Sequence, residues 1–492
     1  RCVLQAYSGA FCRKSLRSLF FGIFTAGKAQ NRGMKRKTFL RGAATLGISG
    51  AAVKCLGALY RVPLVAFIGC YGLGLYQSSY AFFAFITTLC SAGIASALSK
   101  QVADSRARAV SAAPVVSDYL RLFVRVGLIG GLTVAVFPLV FHAARGESYT
   151  AGYFFLALAV PIVCVSSVLC GAFQGADDML PTAASEITGQ IAKIALGLLF
   201  CAVLKGKVAK AATFLCLAVT LSVLIEDFTL IVFCKKRRET GGINGDFCVM
   251  PHTGARFLCG RVSGGNTRKI LAFTLPVTLS AAVLPLTAFA ESMLLPSLFK
   301  RYAENPLALY GLFAGGAACI SHLPVTLCRG VGAAAIPDLS AEIGKNGAAG
   351  CGGKISYACL LTLAVAVPAG ALMYLFAPLA AKLLFRSLAA EEKAMLTACV
   401  RISAAGAVFL SLAQTLSSCL TALGKQRGAA ACWGVACLSR ILFDLVFAGV
   451  LKFSAKGAAA AESLCYFVAF FLILLYNKAC MKGERIITEA KA

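Results

Sequence analysis

Runs of about 20 apolar residues follow one another along this chain from Phe39 to Tyr476, joined by short polar connections. Each is long enough to cross roughly 30 Å of hydrocarbon. The runs are too long for barrel strands and do not alternate with a period of two. In lipid, such segments satisfy their backbone only as helices. The chain is 59% hydrophobic and only 14% charged, where soluble domains carry about 25% charge. It therefore reads as an all-α polytopic membrane protein.

Twelve spans are expected, near 39–68, 74–98, 119–142, 150–173, 183–204, 210–233, 270–299, 308–335, 355–380, 395–420, 428–451 and 457–476. Residues 1–33 read as an N-terminal extension, because Met34 opens a basic flank ahead of the first span. Residues 34–233 form one set of six helices and 270–477 a second. A Gly-rich, basic linker (234–269) separates the two sets, and 478–492 is a tail. The formal net charge of +28 does not point to nucleic acid, because its Lys and Arg gather in alternate loops. The richer loops should be cytoplasmic, with both termini inside. The 22 cysteines and three histidines form no zinc-type spacing, so the cysteines read as small apolar core residues.

The two halves echo each other. "RKTFLRGAATLGISGAAVKCLGAL" from Arg36 and Lys37 parallels "RKILAFTLPVTLSAAVLPLTAF" from Arg268. Pro138 parallels Pro378, and Gly175 parallels Gly424. Six helices return the chain to its starting side, so the halves form a parallel repeat about an axis along the membrane normal. Two pseudo-symmetric lobes around a central cavity follow.

Charges inside apolar runs are costly and tend to face a cavity or a partner. Lys54 and Arg61 stand seven residues apart on the first span, hence on one face. A wet cationic stripe of this kind suits a diphosphate; pairing with a carboxylate, or reaching to the interface, is the structural alternative. Arg329 and Arg401 are the second-half candidates for the same anionic headgroup, and Gln77 is placed to bond a sugar. Glu291 sits deep in the seventh span, and Arg440 and Asp444 are four apart on the eleventh, as neighbours on one face. Glu291, Arg440 and Asp444 therefore form either a cation or proton site or a static salt bridge. Glu226 and Asp227 read as a solvated helix end, and Asp177–Asp178 as a capping turn.

The blocks "LGALYRVPL", "GLGLYQ", "SAGIASALSK" and "LPVTLCRGVGAAAIPDLSAEIGK" resemble the stage V sporulation protein B-like polysaccharide transporters. These belong to the multidrug/oligosaccharidyl-lipid/polysaccharide (MOP) exporter superfamily, with the lipid II and Wzx-type flippases. The resemblance implies a two-lobed bundle in a bacterial cytoplasmic membrane that flips a polyprenyl-diphosphate-linked saccharide as a monomer. It implies no enzymatic step and no bound cofactor beyond a monovalent cation or proton as coupling ion. In relatives, carboxylates on the seventh and eleventh helices supply a monovalent-cation site; Glu291 and Asp444 match those positions, and Arg440 departs from the pattern. The rivals are a cation-coupled multidrug exporter of the same superfamily, a lipid-modifying membrane enzyme and a non-transporting scaffold.

Overall fold

The computed structural model describes residues 35–108, 110–141, 151–239, 264–346 and 351–489. The extension 1–33 and most of the linker lie outside the described residues. Among the described residues there is no strand, and eleven helices are long and apolar enough to cross a membrane. The first of these covers 61 residues, Gly47–Ala107, about three bilayer thicknesses at 1.5 Å per residue. It holds the first two expected spans.

Helix α1 (Lys35–Ser91) is broken at Gly69, whose φ of 64° and ψ of −176° are non-helical. A side chain at this φ would strain the backbone, so glycine is the residue the turn needs. The chain doubles back there. Tyr60, before the break, lays its hydroxyl on Gly197, and Tyr80, after it, stacks under Lys193 one turn earlier on the same helix. The first lobe continues through α2 (Ile94–Ala107), α3 (Ala113–Phe141), α4 (Ala151–Gly175), α5 (Leu180–Val203) and α6 (Val208–Glu239).

The second lobe opens with α7 (Gly264–Phe299) and α8 (Pro306–Tyr310). A π-helical turn, Gly311–Ala317, joins α8 to α9 (Ala318–Asn346). Then come α10 (Gly352–Leu384), α11 (Ala390–Ala422), α12 (Gln426–Asp444), a second π-helical turn (Leu445–Val450) and α13 (Ser454–Glu489). The repeat shows in the local geometry. Pro138 lies inside α3 and Pro378 inside α10. α4 and α11 both end in turns with a left-handed residue, Asp177 (φ 60°) and Gly424 (φ 72°). The aspartate turn is pinned from outside: Arg237 donates to Asp178 at 2.7 and 2.8 Å, and Arg106 reaches Asp177 at 3.6 Å.

The lobes meet along the second half of α1. Near one end, Gly74 lies so close to the Leu307 carbonyl and Gly311 that no Cβ fits. Near the other, Gly93 donates its amide to Thr278 Oγ1 at 3.1 Å. Between them Phe289 of α7 packs against Phe82, Phe85 and Phe137, with ring centroids 4.7, 5.8 and 5.6 Å away. Offset and edge-on aromatic pairs of this kind add to plain area burial.

Gly74→Val should therefore overpack the lobe contact and destabilise the protein by about 1–3 kcal/mol, read as a lower melting temperature in detergent. Unchanged melting would show that the two helices have room to part at this point.

Candidate functional site

A cavity of about 590 Å³ lies between the lobes. Five of the eight sequence candidates line it: Lys54, Arg61 and Gln77 from α1, Glu291 from α7 and Arg440 from α12. Each reaches it from a helix whose apolar residues pack elsewhere, leaving a polar stripe toward this space.

The first-lobe wall is cationic. Lys54 and Arg61 share a face of α1, and Lys193 joins them from α5, its Nζ 4.6 Å from the Tyr80 ring centroid. Among the described residues, none of the three has a carboxylate partner. Arg61 Nη1 instead donates to the carbonyls of Ala314 and Gly315, at 3.2 and 3.5 Å, in the π-helical turn across the lobe boundary. These are neutral acceptors, so its charge stays uncompensated. The buried Gln77 Oε1 has no hydrogen-bond partner and is free to accept from a guest hydroxyl. Gln190 of α5 adds an amide to the same wall, and Gln414 of α11 faces the cavity from the second lobe.

The second-lobe wall is different. Arg440, 8% exposed, forms ion pairs with Glu291 of α7 and with Glu462 of α13, the latter at 3.3 Å. Its guanidinium also lies over the Tyr466 ring, 5.9 Å from the centroid. Asp444, only 1% exposed, is not within ion-pair distance of Arg440, and its Oδ2 has no hydrogen-bond partner. The expected Glu291–Arg440–Asp444 bridge is thus corrected to Glu291–Arg440–Glu462, because the long Arg440 side chain reaches sideways to α7 and α13. Asp444 stands behind the bridge, off the cavity wall.

Two other readings change, and that of Arg329 falls outside the described side chains. Arg401 does not line the cavity: it is exposed on α11, stacks over Tyr374 and donates to its carbonyl at 3.4 Å. A long side chain near a helix end reaches polar surroundings this way. Arg329 lies on α9, two turns past His322, and its side chain is outside the described residues. Asp227 is not a solvated helix end. α6 runs on to Glu239, so Asp227 is 7% exposed and takes a hydrogen bond from Ser166 of α4.

The family now becomes visible. The profile of the polysaccharide biosynthesis protein family matches residues 39–341. The chain belongs to that family. A stretch of 175 residues is 34% identical to stage V sporulation protein B of Bacillus subtilis (strain 168). It takes in 33% of this chain and 32% of that protein, so the match spans about a third of the curated relative. The fold is that of the MOP superfamily. It superposes on an inward-facing multidrug resistance MATE family transporter with a TM-score of 0.71 at 18% identity, over 91% of this chain and 98% of that one. It also superposes on lipid II flippase MurJ, inward closed conformation, at 0.67 and 14% identity, over 88% and 87%.

The donor set does not suit a monovalent metal ion. One oxygen each of Glu291 and Glu462 is turned to the guanidinium, and no group of three or more His, Cys, Asp or Glu able to hold a metal occurs among the described residues. Removing Arg440 leaves two buried carboxylates unpaired, which costs about 3–5 kcal/mol. Arg440→Leu should therefore lower the melting temperature sharply in detergent, and the triple change with Glu291→Gln and Glu462→Gln should recover most of the loss. If the triple variant melts no higher than the single one, the ion pair is not what holds these helices.

Proposed function

We propose that this membrane protein of polysaccharide biosynthesis moves a polyprenyl-diphosphate-linked saccharide across the bilayer by alternating access between its two lobes. One observation carries the reading: Lys54, Arg61 and Lys193 converge on the interlobe cavity without carboxylate partners among the described residues. Three uncompensated cations in a partly desolvated space are matched by a diphosphate, with Arg supplying a planar fork and Lys point charges. Gln77, Gln190 and Gln414 are suited to sugar hydroxyls, and Arg329 is the candidate for guiding the headgroup toward the cavity. No bond is broken in this cycle, so the protein is not an enzyme in this reading.

The headgroup enters from the cytoplasmic side. Its phosphates displace the Arg61 bonds to Ala314 and Gly315, which frees the lobe boundary to part and the lobes to rock. With the inside negative, each negative charge carried outward gains about 2.3 kcal/mol per 100 mV. The second-lobe network of Glu291, Arg440 and Glu462, with Asp444 behind it, supplies the return step through a bound cation. Its tied-up oxygens favour a proton over a metal ion in that role. The excess of Lys and Arg in alternate loops supports a cytoplasmic position for both ends of the helix array, the family resemblance supports a bacterial membrane, and a monomer suffices in this reading, since the cavity is built from one chain.

The acidic and aromatic second-lobe wall gives the rival, export of an organic cation, its one support. Charge reversal separates the two. Arg61→Glu should cut surface exposure of the lipid-linked saccharide by about tenfold or more, since a lost charged contact and a new like charge together exceed about 1.4 kcal/mol. Unchanged exposure at normal protein levels would sink the anion reading. Increased efflux of a cationic dye would favour the rival.

A further inference from the structure

We infer that His322, Tyr466 and Glu462 form a proton-binding relay from the central cavity to the buried carboxylates of the second lobe. The inference deepens the functional reading above by giving the coupling ion a route, and it rests on that reading for the relay's use.

The geometry is a continuous chain across two helices. The His322 side chain, on α9, is 45% exposed and lines the cavity. Its Nε2 lies 3.2 Å from the Tyr466 hydroxyl of α13 and 3.7 Å from Glu462 Oε1. The Tyr466 hydroxyl in turn donates to Glu462 Oε1 at 2.8 Å, and Arg440 Nη2 reaches the same oxygen at 3.3 Å. The Glu462 side chain is only 3% exposed, and its second oxygen is buried without a hydrogen-bond partner. A half-open imidazole thus stands at one end and the Glu462 carboxylate at the other, at the buried margin of the same cavity, its Oε1 bonded to Tyr466 and Arg440 and its Oε2 without a partner.

Charge points the same way. Glu291, Glu462 and Asp444 are buried around a single guanidinium, a formal excess of two negative charges. Burying unpaired charge is costly, and a proton removes the cost where a hydrated metal ion finds no free oxygen cage. The groups facing His322 are Glu462 and Tyr466 from α13, Arg440 from α12 and Arg61 from α1, with Glu291 of α7 reached through Arg440; α10 and α11 bring no described charge to it. The transfer balances as one proton. A hydronium in the cavity gives a proton to Nδ1 and leaves as water, Nε2 passes its own to the Tyr466 oxygen, and the Tyr466 hydroxyl proton moves to Glu462 Oε1.

The test is infrared difference spectroscopy of the full chain in lipid bilayers after a drop in pH, with no saccharide present. The protonated-carboxyl band should lose one component in Glu462→Gln. In His322→Gln, a change at the cavity wall, the same component should appear about tenfold or more slowly after the jump, and Tyr466→Phe should behave likewise. A full set of carboxyl components in Glu462→Gln, or an unchanged rate in His322→Gln, would overturn the relay. A component that titrates as described in a protein that moves no lipid-linked saccharide would uphold the proton site and count against the transport reading alone.

Discussion

Charge that cannot reach bulk water must either find a partner or line a water-filled space, and this fold is arranged around that constraint. Mid-membrane ionised groups cost roughly 2.5–3.5 kcal/mol each on insertion scales. The second lobe meets the cost by pairing: Arg440 ties α7 to α13 through Glu291 and Glu462. The first lobe meets it with solvent, leaving Lys54, Arg61 and Lys193 on the cavity wall. Filling the cavity with apolar side chains would strand these cations, so the space between the lobes is itself a requirement of the sequence.

Holding that space open needs rigid walls and yielding seams. The walls are long helices packed through large buried side chains such as Tyr119, Tyr153 and Phe173. On either side of the Phe289 cluster the seams are small and polar: Gly74 against Gly311, Gly93 against Thr278, and Arg61 on two carbonyls of a π-helical turn. Backbone contacts without interlocked side chains can part and re-form with little repacking. An i→i+5 turn at the seam is in keeping with the tendency of such turns to sit where helices work.

Much of this was legible in the sequence. Twelve apolar runs, the repeat and the basic linker position follow from residue order alone, and the single run over the first two spans hides a break only at Gly69. Lys54, Arg61, Glu291 and Arg440 stood out because isolated charges are rare in apolar runs. The same signal misread Arg401, since a lone arginine looks alike whether its helix turns it inward or toward the Tyr374 ring. Glu462 was overlooked because "GAAAAESLCYF" places it within two turns of the expected start of the last span, where a carboxylate reads as solvated. His322 carried no pattern of its own, and Lys193 stood out only by its spacing of seven residues from Glu186 on the fifth span. Their roles come from which face α9 and α5 present to the other lobe, and that is settled by packing between segments far apart in sequence.

The repeat also explains how one scaffold yields two opposite walls. Lys193 of α5 and Arg440 of α12 occupy the fifth long helix of their lobes, and each lies by a tyrosine ring, Tyr80 at 4.6 Å and Tyr466 at 5.9 Å. What differs is the company. Glu291 and Glu462 close on Arg440, whereas no described carboxylate closes on Lys193. The same cation is therefore spent on holding helices together in one lobe and left available to an anion in the other. Two carboxylates, placed on one side of a pseudo-symmetric pair, suffice to give a chamber one wall of unpaired cations and one of paired charge. Such a division fits a transporter better than a scaffold, because a purely structural bundle gains nothing from leaving three cations uncompensated beside a void.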